Sequence, residues 1–128
     1  MITHVDNYLF SKKINTIDNE VLVKDCLDIE KKLLTTLPVI DKKFYGTLST
    51  AHHHEYNMLT FPAKEINKLY YKLQNIICPY LENKTYYIKS WLNVFRKGQK
   101  IDWHDHWSSK LKVWHGFYCV QVGKSYTE

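Results

Sequence analysis

The sequence predicts an α+β domain with its helices first and its strands last. Three observations carry this. Apolar residues recur at helical spacing over about the first eighty positions, β-favouring aromatic and branched residues crowd the last forty, and no internal repeat or linker rich in Gly, Pro or Ser separates the two parts. The chain of 128 residues, 45% apolar and 15% aromatic, is long enough for one domain with its own core. We read it as a single unit with a helical part over about 1–85 and strands over 86–128.

The first element is a short strand over Tyr8 to Ile14. Asp18 or a neighbour then caps a helix running to about Leu34, with Leu22, Val23, Cys26, Leu27, Ile29, Leu33 and Leu34 on its apolar side. A loop follows, with Pro38, Gly46 and the run His52, His53, His54. Three adjacent imidazoles cannot all face one ion on regular backbone, so the run reads as a solvated loop. Pro62 opens a second helix, striped by Ile66, Leu69, Tyr70, Leu73, Ile77 and Tyr80. Both stripes are packing faces.

From Tyr86 the texture changes. Tyr86, Tyr87, Ile88, Trp91, Leu92, Val94 and Phe95 favour a strand, which Arg96, Lys97 and Gly98 end as a turn. A further strand is expected over Lys112 to Val122, with Trp114, Gly116, Tyr118, Val120 and Val122 on one face and Val113, His115, Phe117, Cys119 and Gln121 on the other. Trp91, Phe95 and Phe117 are expected in the core, where large aromatics on strands usually lie.

Charge and cysteine usage narrow the function classes. Lys and Arg exceed Asp and Glu by 18 to 13, but the excess is scattered, so no nucleic-acid groove is expected. Cys26, Cys78 and Cys119 are odd in number, widely spaced and free of any Cys-x-x-Cys, which argues against a disulfide framework and a zinc knuckle. The N-terminus lacks the pattern of a signal peptide and no apolar run has transmembrane length, so the expected address is the cytoplasm, with no membrane partner.

Chemistry concentrates in Trp91 to His106, which reads WLNVFRKGQKIDWHDH. On a regular strand His104 and His106 project to one face about 7 Å apart along the backbone, close enough for both imidazoles to grip one metal ion. Asp102 shares that face and Asp105 points away from it. His104 and His106 are therefore the candidate metal ligands, and Asp102 a partner that would fix an imidazole tautomer.

The pattern Trp91-x-Asn93, Gly98, His104-x-His106 and then Gly116-Phe117-Tyr118-Cys119-Val120 resembles iron(II)- and 2-oxoglutarate-dependent oxygenases of a type found in marine phage and bacterial genomes. The resemblance is good over about the last forty residues and vague before them. It implies a double-stranded β-helix, or jelly roll, whose first strands these would be. It also implies iron(II) as cofactor and 2-oxoglutarate as cosubstrate, oxidised to succinate as a bound small molecule or peptide is oxidised. In this reading His104 is the first ligand, and Asn93 and Tyr118 line the cosubstrate pocket.

The sequence departs from the family pattern at several positions. The residue two after the first histidine is usually acidic and here is His106. Cys119 replaces a tyrosine, and a thiol donates poorly to a carboxylate. His115 occupies the place of a small hydroxyl residue; it is either a third ligand or a histidine held beside the site. Gly98, five residues and His104-x-His106 also match the spacing of a cupin motif, in which Lys110 or Leu111 stands where an acid belongs. The family's distal histidine and basic residue have no counterpart before Glu128, so the jelly roll is expected to be incomplete, or completed by a second copy or another chain. A non-catalytic jelly-roll binding module and a cupin-like site of three histidines are the alternative expectations.

Overall fold

The computed structural model describes residues 2–6, 9–36, 56–81, 85–99 and 114–123. The chain begins with a hairpin in which β1 (Ile2–Asp6) pairs antiparallel with β2 (Leu9–Lys12). Ile2 faces Lys12, Thr3 faces Ser11 and His4 faces Phe10; the register then slips so that Asp6 faces Leu9. The slip is an irregularity of the bulge kind, with an extra residue on the first strand. β2 falls within the expected strand, whereas the partner β1 was not foreseen.

Helix α1 (Asn19–Thr36) starts where its capping residue dictates. Asp18 Oδ1 accepts from the amides of Glu20 at 3.1 Å and Val21 at 3.2 Å, satisfying two of the donors a helix start leaves open. At the other end Thr35 Oγ1 donates to the carbonyls of Lys31 and Lys32 at 2.9 and 3.0 Å. Leu22, Cys26, Ile29 and Leu33 form its buried stripe. Leu27 and Leu34, expected on that side, are 43% and 44% exposed because the stripe is narrower than the apolar content suggests.

Helix α2 (Lys64–Ile77) begins two residues after Pro62, behind an extended Ala63. Its Ile66 and Leu69 are buried against the α1 stripe, with Tyr70 and Leu73 packed at the margin. The helix gives way to a single 3-10 turn, Cys78–Tyr80, at Pro79, which has no amide hydrogen to extend the ladder. A second 3-10 turn, Met58–Thr60, precedes α2 and closes the core with Met58 and Leu59.

The expected jelly roll is overturned. Among the described residues the only sheet is the N-terminal hairpin, and the core of Ile17, Leu22, Cys26, Ile29, Leu33, Met58, Leu59, Ile66 and Leu69 is built by helices and turns. From residue 85 onward the described residues add only Leu92 to the buried core. Residues 85–99 and 114–123 run without a strand ladder, apart from a lone bridge position at Asn93. The β-favouring composition was read as paired strands, and these segments run extended without pairing into a sheet. Ile88, Ser90, Leu92 and Val94 turn inward in alternation, while Tyr87, Lys89, Asn93 and Phe95 face outward. What receives the inward face is the helical core, and strand propensity measures fit to such a half-buried surface rather than a demand for a neighbouring strand.

Hydrogen bonds to residues 57–59 do the work of a ladder along this segment. Asn57 Nδ2 donates to the Ile88 carbonyl at 2.8 Å, and the Met58 amide donates to the Ser90 carbonyl at 3.2 Å. Ser90 Oγ accepts from the Leu59 amide at 2.9 Å and donates to Asn57 Oδ1 at 2.5 Å. Phe95 and Phe117 are not core residues: they are 50% and 76% exposed. In 114–123 Tyr118 and Val120 pack on the core margin, and Trp114 and Val122, expected on the same face, are exposed. No helix among the described residues is long and apolar enough to cross a membrane.

Candidate functional site

His104, His106 and Asp102, like the run His52 to His54, lie outside the described residues. The segments on either side of the His-x-His are described. Upstream, Gly98 adopts φ +82°, the left-handed region that a turn requires at this position and that only glycine enters freely. A Cβ there would meet nothing within 4 Å, so the backbone angle and not crowding calls for glycine. The turn is stitched twice: the Gln99 amide donates to the Arg96 carbonyl at 3.0 Å, and the Arg96 amide donates to Gln99 Oε1 at 2.7 Å.

The same arginine reaches back to α1. Its Nη1 and Nη2 donate to Glu30 Oε1 and Oε2 at 2.9 and 2.8 Å, a two-point pairing across 66 residues. The carboxylate is only 7% exposed, and the guanidinium is 53% exposed. The pairing raises the Arg96 pKa, chiefly through the hydrogen bonds to Glu30.

Downstream, His115 is exposed and stacks on Trp91 with ring centroids 6.0 Å apart and planes 27° apart. The Trp114 ring lies 6.1 Å, centroid to centroid, from that of Tyr80 in the 3-10 turn after α2. Asn93 is on the exposed side of its segment. Tyr118 is half-buried and donates its hydroxyl proton to Asn19 Oδ1 at 2.8 Å; burial, ahead of its other surroundings, raises its pKa. A phenol has one proton to donate, so in this arrangement Tyr118 can only accept from a further ligand. Cys119 is exposed.

Among the described residues no three of His, Cys, Asp and Glu come together as a metal site. Comparison with known proteins adds no relative: no family model, curated protein or solved structure matches this chain.

Sequence reasoning missed several groups. Glu30 stands on the flank of the α1 stripe, four residues after Cys26 and three before Leu33, and an acid at such a position is a signal that a partner will be found. Glu65, equally buried, joins the two helix starts. The Tyr56 hydroxyl is sealed from solvent with no hydrogen-bond partner among the described residues, and burial, followed by the neighbouring Cys26, pushes its pKa up to about 12. The Cys26 thiol is pushed up to about 11 by burial and then by Asp25. Neither group ionises at neutral pH, and both serve the core.

Proposed function

We propose that this chain carries the metal-binding segment of an iron(II)- and 2-oxoglutarate-dependent oxygenase, with His104 and His106 as two of the ligands. The observation that carries this reading is the order Trp91-x-Asn93, Gly98, His104-x-His106, Gly116-x-Tyr118-x-Val120 in the sequence. The positive φ of Gly98 supports it, since a glycine turn before the pair is part of that order. Asp102 would orient one imidazole, and Asn93 would face the cosubstrate from the exposed side of its segment. Bound iron would supply the positions at which 2-oxoglutarate and dioxygen meet. The substrate is a small molecule or peptide whose class this part of the chain does not specify.

A second reading has one observation in its favour. The Tyr118 proton is already donated to Asn19, and Cys119 stands in place of a phenol, so the pocket wall is poor in donors for a carboxylate. A metal-free or cosubstrate-free binding module would tolerate both.

Anaerobic iron(II) titration followed by an assay of succinate formation separates them. The oxygenase reading expects tight iron binding that His104→Ala abolishes, and succinate released only in the presence of 2-oxoglutarate, iron and dioxygen. Half a metal ion bound per chain would mean that a second copy helps complete the ligand set, and a full equivalent that Asp102 or His115 does so. Wild-type protein that neither binds iron nor forms succinate refutes the reading and leaves the binding module.

A further inference from the structure

Residues 85–99 and 114–123 turn aromatic rings to solvent that the helical core does not use. On the outward side of the first segment Tyr87 is 81% exposed, Phe95 is also exposed, and the half-buried Trp91 stands midway between them. Exposed Lys89 falls between the first two rings, and exposed Lys97 follows Phe95 in the turn. Outward positions of an extended chain recur about every 7 Å, so every second one carries a ring. The second segment widens this face: His115 stacks on Trp91 with ring centroids 6.0 Å apart, and Phe117, two positions on, is 76% exposed. A single exposed ring needs no explanation, whereas rings gathered on one side mark a place where something binds.

Charge decides the occupant. Neither segment contains an acid, and the chain as a whole carries a net charge of +5. Arg96 is paired with Glu30, so the charge of this face comes from Lys89 and Lys97. The cations scattered through the sequence predict no groove for nucleic acid, but the extended backbone sets these two in line with the rings. Flat rings alone would suit a sugar as well as a base; lysines between them, with no acid nearby in the chain, favour a repeating anion. A single-stranded nucleic acid offers both partners in alternation, bases that stack and phosphates that pair. We propose that the outward face of 85–97, together with His115 and Phe117, binds single-stranded nucleic acid: Tyr87 and Phe117 stack on bases, and Lys89 and Lys97 hold phosphates. Such binding needs no metal ion.

The test is fluorescence anisotropy, without metal, of labelled oligothymidylate and oligouridylate of about 12 nucleotides, within the site sizes of small single-strand binders. Wild type is expected to bind at least one of them roughly tenfold or more tighter than a duplex of equal length, with affinity falling as salt rises. Binding of either supports the face, and a preference between them says whether the 2′-hydroxyl is read. Tyr87→Ala and Phe117→Ala are each expected to weaken binding roughly five- to hundredfold and to leave its salt dependence unchanged. Lys89→Gln and Lys97→Gln are each expected to reduce the slope of log affinity against log salt by about 0.7, which loss of structure would not do selectively. Both rings are mostly exposed, so their removal should leave the unfolding temperature unchanged. No binding of either strand, equal binding of the duplex, or folded Tyr87→Ala and Phe117→Ala that bind as wild type does overturns the proposal. So does tighter binding of a neutral glucan oligosaccharide that Tyr87→Ala abolishes, which would make the face a platform for sugar rings.

Discussion

The main-chain amide of Asp18 donates to Glu65 Oε2 at 2.9 Å, joining the residue that caps α1 to the first turn of α2 across 47 positions. Glu65 Oε1 accepts from Lys68 Nζ at 2.6 Å, so both carboxylate oxygens are engaged. One acid thus satisfies a donor at the start of α1, neutralises a lysine on its own helix and sits favourably at the positive end of α2.

This arrangement makes stability depend on acid. The hydrogen bond from Lys68, then that from the Asp18 amide, hold the Glu65 pKa below its ordinary value of 4.5. A lowered folded pKa means that the contribution is fully present above 4.5 and is lost as pH falls through the folded value. Glu65→Gln should therefore be less stable than wild type at pH 7, with the difference shrinking below that point. Urea unfolding at pH 7 and at pH 3 measures it; a difference that does not change with pH would contradict the assignment.

The cap itself is testable without touching Glu65. Asp18→Ala keeps the main-chain amide that Glu65 accepts but removes the oxygen that holds Glu20 and Val21. The expected loss is about 1 kcal/mol, and Asp18→Ser should restore most of it. Equal stability of Asp18→Ala and wild type would show that the cap contributes nothing.

Leu22 and Ile66 are fully buried where α1 meets α2. Replacing either with alanine should cost roughly 2–5 kcal/mol, through lost burial and the cavity left behind. Leu27→Ala, on the exposed side of α1, should cost under about 1 kcal/mol. Comparable losses at Leu22 and Leu27 would mean that the stripe has been assigned to the wrong face.

The three cysteines should separate by reactivity. Cys78 and Cys119 are exposed, whereas Cys26 is buried with its pKa pushed up to about 11. A thiol reagent at pH 8 should label the first two quickly and Cys26 only after denaturation, because the thiolate is the reactive form. Rapid labelling of Cys26 in native protein would place it outside the core.

Gly98→Ala should destabilise by about 1 kcal/mol, since alanine is strained at φ +82° although its Cβ has room. Gly116→Ala, where glycine adopts no positive φ and the added carbon also meets nothing, should be near neutral. Equal effects at the two glycines would argue against a required turn at Gly98.

Much of this fold was legible in residue order because its causes are local. Asp18 before an apolar period announces α1, the spacing of Leu22, Cys26, Ile29 and Leu33 falls on its buried side, Pro62 announces α2, and Lys97-Gly98 marks a turn. The candidate ligands were legible for the same reason, since two histidines two positions apart need no long-range information to be noticed. Nothing in the order of residues from Tyr86 onward could say what their inward side would meet. Alternation is a property of an extended backbone, whether it pairs with another strand or lies against helices, and here Asn57, Ser90 and Met58 supply the hydrogen bonds that a ladder would have made.

Sequence alone therefore determined where α1 begins and ends, where α2 begins and where the turn at Gly98 falls. Tertiary structure alone decided that the extended segments lie on a helical core, that Phe95 and Phe117 face water, that the Tyr118 proton is donated to Asn19, and that Glu30 holds Arg96. The division has a physical reason. Periodicity, capping and turn geometry act over a few residues, whereas a buried carboxylate must find its cation wherever the folded chain brings one, here 66 residues away.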